Sequence, residues 1–130
     1  MAYNKQQLQF YNRAKENDGG VIRFIDILDK YHYDYKLRCR KGSKQVTIYI
    51  DVNGNHFRVS DRKIAKAVRI TIPKAHFLSK NYKNYNGFLK DESLGLDPEV
   101  VEVKNSIYVF FRPEDFEGVI KEIYKKDWIC

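Results

Sequence analysis

Between His32 and Asp61 hydrophobic and polar residues alternate through three runs, HYDYKLRCR, QVTIYIDV and NHFRVSD, separated by KGSK and NG. Alternating runs parted by short turns predict an antiparallel meander. Asn53-Gly54 is a strong two-residue hairpin signal, because a type I′ turn needs positive φ at both central positions. That loop sets Val52 against Asn55, Asp51 against His56, Ile50 against Phe57, Tyr49 against Arg58 and Ile48 against Val59. A four-residue loop at Lys41-Gly42-Ser43-Lys44 sets Arg40 against Gln45, Arg38 against Thr47, Leu37 against Ile48 and Lys36 against Tyr49. The two registers follow from separate turns and agree. They put Tyr33, Tyr35, Leu37, Cys39, Val46, Ile48, Ile50, Val52, Phe57 and Val59 on one face. Lys36, Arg38, Arg40, Thr47, Tyr49, His56 and Arg58 fall on the other. A slip of one residue would bury the arginines, so this register is strongly specified.

Helical periodicity flanks the meander. Asn4 to Glu16 predicts a first helix capped by Asn4, with Gln7 three residues on as in a capping box. Asp18-Gly19-Gly20 ends it, and Val21, Phe24, Ile25, Leu28 and Tyr31 recur at the spacing of an amphipathic second helix. After a cation-rich turn at Arg62 to Ala67, Val68 to Ile72 alternates as a fourth strand and stops at Pro73. Val100–Val103 and Ser106–Phe111 predict a hairpin across Lys104-Asn105. Its second strand is apolar on both faces and therefore suits an interior position or a dimer seam, which leaves the oligomeric state open. Arg112-Pro113-Glu114-Asp115 opens a last helix whose inner stripe is Phe116, Val119, Ile120 and Ile123, continued by Asp127 or Trp128. The order predicts one α+β domain over 1–130. It comprises a helical part at 1–31, the meander at 32–72, a long basic and aromatic loop at 73–99, and a hairpin strand plus helix at 100–130. An antiparallel sheet of five to six strands would carry two N-terminal helices and one C-terminal helix, mainly on one face.

Composition adds an electrical asymmetry. The chain has 24 Lys and Arg against 17 Asp and Glu, a net charge of +7. Between Lys30 and Lys90 there are 15 of those cations and three acids, Asp34, Asp51 and Asp61. A centre so biased argues for an anionic partner rather than general solubility. Two cysteines, Cys39 and Cys130, make no disulfide framework and fit a reducing, cytoplasmic setting. No secretory leader and no apolar run long enough to span a bilayer is present, so no membrane role is expected.

Three constellations could carry chemistry. On the polar face of the meander Lys36, Arg38, Arg40 and Arg58 surround Tyr49, and arginine pairs with phosphate bidentately while tyrosine offers a stacking surface. Arg62, Lys63, Lys66 and Arg69 extend that face along the chain. The loop from Lys74 to Lys90 interleaves cations with Phe77, Tyr82, Tyr85 and Phe88, and Tyr82, Lys83 and Tyr85 are its expected contact residues. In the derived register Asp34, Asp51 and His56 form a row with His32 at its end, a set that could hold a divalent ion for phosphodiester hydrolysis. There is no zinc spacing, no glycine-rich phosphate loop and no G-x-S-x-G elbow, and no cofactor is implied.

These residues predict a non-enzymatic basic protein that recognises nucleic acid or a nucleic-acid-bound protein complex. A second class is a small phage or mobile-element inhibitor, an anti-CRISPR-like anti-defence protein blocking a host nuclease or nucleoprotein. The Lys-, Tyr- and Asn-rich composition is similar to that of small proteins from low-GC bacteria and their phages. A third class is a metal-dependent nuclease.

Overall fold

The computed structural model describes residues 4–52, 54–62, 66–73 and 99–124. Helix α1 (Lys5–Asn17) starts where the Asn4 side chain accepts a hydrogen bond from the Gln7 backbone N–H at 2.8 Å. The capping box is only half formed. The Gln7 side chain turns away to the first strand, where Nε2 donates to the Leu37 carbonyl at 2.9 Å and Oε1 accepts from the Leu37 N–H at 2.8 Å. Those two groups face outward from an edge strand, and satisfying them there covers part of an edge open to foreign pairing.

Helix α2 (Gly20–Lys30) begins at a second chain reversal. Gly19 has no side chain to cap it; the Asp61 carboxylate, from the far end of the meander, accepts the Val21 N–H at 2.7 Å instead. Both glycines are set by close approach. A Cβ on Gly19 would lie 2.5 Å from Asp61 Oδ1, and one on Gly20 would lie 2.5 Å from the Ala67 carbonyl oxygen. Burial raises the Asp61 carboxyl above the ordinary aspartate range, while the Val21 N–H and the Arg23 charge oppose that shift. Asp61→Ala should cost about 1 kcal/mol, the usual worth of an N-cap, and Asp61→Asn, which keeps the acceptor, should cost less. A carboxyl raised in the fold binds protons more tightly folded than unfolded, so its contribution is most favourable at low pH and declines as pH rises through the raised value. Urea melts should therefore show wild type gaining on Asp61→Asn as pH falls from neutrality toward the ordinary carboxylate range.

The end of α2 accounts for a departure from the expected meander. His32 takes a left-handed φ of 58°, with its N–H on the Asp29 carbonyl and the Tyr33 N–H on the Leu28 carbonyl. This is a Schellman closure. The chain stays with the helix through Tyr33, and strand β1 (Lys36–Cys39) begins later than the alternation of residues suggests.

Beyond β1 the predicted registers hold. Strand β2 (Val46–Val52) pairs with β1 through Lys36–Tyr49, Leu37–Ile48 and Arg38–Thr47. It pairs with β3 (Asn55–Asp61) through Ile48–Val59, Tyr49–Arg58, Ile50–Phe57, Asp51–His56 and Val52–Asn55. The β1 ladder stops at Cys39–Val46. Arg40 lies in the turn, because the Ser43 N–H closes onto its carbonyl and Gly42 supplies a φ of 80°. Strand β4 (Val68–Pro73) follows β3, and β5 (Glu99–Glu102) returns by a short turn to β6 (Ser106–Phe111). The six strands are antiparallel in the order β1-β2-β3-β4-β6-β5, so Ser106–Phe111 is interior, as its two apolar faces require.

A 3-10 turn (Pro113–Asp115) leads into helix α3 (Phe116–Ile123). The three helices cover one side of the sheet. Val21, Phe24, Ile25 and Leu28 from α2 and Phe116, Val119, Ile120 and Ile123 from α3 are buried with Leu37, Ile48, Ile50, Phe57, Val59, Ile70, Ile72, Ile107 and Val109. Phe24 and Phe116 meet edge to face with centroids 5.2 Å apart. The protein is an α+β domain with its core between one helix layer and one sheet face.

Candidate nucleic-acid interface

Strand alternation and register set the opposite side of the sheet. Since Leu37, Ile48, Val59, Ile70 and Val109 point into the core, their neighbours point out. The ladders align these outward residues in two rows. One runs Arg38, Thr47, Ser60, Arg69 and Phe110. The other runs Lys36, Tyr49, Arg58, Thr71, Tyr108 and Val101. No helix of the described residues packs on this side.

The rows pair cations with rings. The Arg38 guanidinium sits 4.9 Å over the Tyr49 ring, Arg69 sits 4.6 Å over Tyr108, and Arg62 sits 4.1 Å over Phe110. Each such stack is worth about 0.5–1 kcal/mol at an exposed site, enough to narrow where the guanidinium points. Between them lies a depression of about 490 Å³ whose lining includes Arg38, Arg40, Arg58 and Arg69 and no acidic residue. Its floor holds the Thr47 and Ser60 hydroxyls, 3.4 Å apart, and Thr71; Ser60 and Thr71 are each 6% exposed. Arg69 Nε is buried without a hydrogen-bond partner.

Among the described residues no acid pairs with Lys36, Arg38, Arg40, Arg58 or Arg69. Two arginines of the helix layer are placed differently. Arg23 meets the Asp18 carboxylate at 3.2 Å, and Arg13 donates to Cys39 Sγ and to the Ser43 carbonyl.

Lys66 departs from the group in which the sequence placed it. Its φ of 55° turns the chain toward the helices, and its ammonium lies 2.9 Å from the Asp18 carboxylate and 2.8 Å from the Asp18 carbonyl. Those contacts hold the Asp18 carboxyl below the usual range, with Arg23 adding to the effect. Lys66 thus joins the end of α1 to the start of β4 and is spent on the fold. Lys63, Tyr82, Lys83 and Tyr85 lie outside the described residues.

The acidic row does not assemble. Asp51 and His56 face each other across β2 and β3, and the ring Nδ1 contacts the carboxylate. Asp34 precedes β1 rather than pairing in it, and its carbonyl accepts the Tyr124 hydroxyl at 2.7 Å. His32 is the left-handed residue that closes α2. Among the described residues no group of three or more His, Cys, Asp or Glu side chains could hold a metal ion. Helix closure draws His32 and Asp34 out of the row, which alternation alone does not reveal.

Ser60, Thr71, Tyr108 and Phe110 were not singled out in the sequence, although a signal exists. Ser60 shares the parity of Arg58, Thr71 that of Arg69, and Tyr108 and Phe110 occupy the outward positions of β6 once β4 is its neighbour. Comparison of the chain with protein-family models, curated proteins and solved structures gave no significant match. Among the described residues no helix is long and apolar enough to cross a membrane.

Proposed function

We propose that this protein binds nucleic acid, free or within a nucleoprotein complex, through the side of its sheet that the helices leave open. The observation that carries the reading is a set of cations, Lys36, Arg38, Arg40, Arg58 and Arg69, that no acid pairs with among the described residues. They are gathered on one face, with aromatic rings beneath the Arg38 and Arg69 guanidiniums. Phosphate is the partner for such a face, since the guanidinium fork matches two of its oxygens and a guanidinium plane stacks on a base. Binding would be driven largely by counterion release and would show limited sequence preference. The cysteine content fits a reducing, cytoplasmic setting.

Fluorescence anisotropy with short single-stranded and duplex DNA and RNA, across a series of salt concentrations, tests this. With about four to five phosphates engaged, log affinity should fall with log salt at a slope of roughly −3 to −4. Absent binding, or binding indifferent to salt, would overturn the proposal.

A further inference from the structure

The open face is not evenly basic; its arginines converge. Arg58 and Arg69 stand on neighbouring strands, and Arg38 approaches from the sheet edge with Arg40 beside it, all around one depression of about 490 Å³. Three hydroxyls, on Thr47, Ser60 and Thr71, come from three consecutive strands and form its floor. A phosphodiester in a nucleic-acid backbone carries one negative charge and leaves two free oxygens. Four guanidiniums with no carboxylate among them exceed what such a group needs. A phosphomonoester carries nearly two charges at neutral pH and three strong acceptor oxygens, which matches several forked donors better. Arg69 lines the depression with its guanidinium stacked on the Tyr108 ring, so the fork is already held in place, and its buried Nε has no hydrogen-bond partner.

We infer that this depression is a seat for a terminal phosphomonoester, the phosphorylated end of a nucleic-acid strand, with Arg38, Arg58 and Arg69 gripping the phosphate above the Ser60 and Thr71 hydroxyls. This rests on the nucleic-acid reading above and assigns which part of the strand the face takes. The Tyr49 and Tyr108 rings lie behind the Arg38 and Arg69 guanidiniums, so terminal bases would stack on guanidinium planes.

The test compares one short oligouridylate in three forms, with a 5′-phosphate, with a 3′-phosphate and with hydroxyls at both ends, alongside uridine monophosphate and inorganic phosphate as competitors. One phosphorylated form should bind at least about tenfold more tightly than the hydroxyl form, as expected for charge-assisted hydrogen bonds to an added dianion, and the preferred arm identifies the end. Arg69→Lys keeps the charge and loses the fork; it should weaken the phosphorylated form more than the hydroxyl form, so that most of the preference is lost. Ser60→Ala, checked for an unchanged thermal midpoint, should reduce the preference too. Equal affinity for all three forms, with salt dependence intact, overturns the seat and leaves nucleic-acid binding standing. Binding of the phosphorylated oligouridylates no tighter than that of uridine monophosphate or inorganic phosphate would overturn a strand end as the occupant, and the nucleic-acid reading with it. No binding to any of these probes overturns both.

Discussion

Reversing Arg38 and Arg58 together to glutamate is expected to weaken nucleic-acid binding by about a hundredfold or more at moderate salt and to flatten its salt dependence. Each arginine that neutralises a phosphate contributes roughly one unit to the salt slope, and a glutamate in its place adds repulsion to that deficit. Both side chains are exposed, and neither pairs with an acid among the described residues. The fold should therefore change by no more than about 0.5 kcal/mol, since what Arg38 gives up is a solvent-exposed stack on the Tyr49 ring. The control carries the same charge change elsewhere: Lys15→Glu with Lys121→Glu, on α1 and α3 of the helix layer. If affinity depended only on net charge, the two double variants would weaken equally. Equal weakening would remove the open sheet face as the binding surface; a defect confined to Arg38 and Arg58 locates it.

The strength of this prediction derives from how much of the face was legible in the chain. Asn53-Gly54 and the Lys41–Lys44 loop each specify a register, and one face of β1 to β3 must be apolar to bury Leu37, Ile48, Ile50, Phe57 and Val59. The positions of Arg38, Tyr49 and Arg58 then follow without tertiary information. Other features depended on distant parts of the chain meeting. Tyr108 comes under Arg69 only because β6 returns to pair with β4, a choice no local pattern encodes. Asp61 caps α2 across 40 positions of sequence, and Lys66 finds Asp18 across 48. Gln7 had two uses, a capping box or the β1 edge, and the two outward backbone groups of Leu37 decided between them. His32 and Asp34 illustrate the limit of alternation, since a helix that closes through a left-handed residue carries its next few residues with it.

Truncating Phe116 to alanine should be the most destabilising of these changes, by about 3–5 kcal/mol, the usual cost of emptying a buried phenylalanine site. The ring is fully buried and packs edge to face on Phe24, so the variant forfeits both the transfer energy and the ring–ring attraction. Position adds to the effect. Strands β1 to β4 form one contiguous meander under α2, and among the described residues β6 and β5 join it through the β4–β6 ladder, with α3 packed on α2. Through its ring contact with Phe24, Phe116 helps join α3 to α2, and so the C-terminal hairpin and helix to the meander that bears the arginines. With domain stabilities of about 5–15 kcal/mol, such a change should lower the thermal midpoint by roughly 10–25 °C. Calorimetry of Phe116→Ala should show one cooperative transition at that lower temperature, with nucleic-acid binding intact below it and abolished through it. Two separated transitions would mean that the meander and the C-terminal unit unfold independently, and binding would then follow the first or the second according to whether Arg69, opposite β6, needs Tyr108 beneath it. A destabilisation of less than about 1 kcal/mol would place Phe116 outside the cooperative core, against its complete burial.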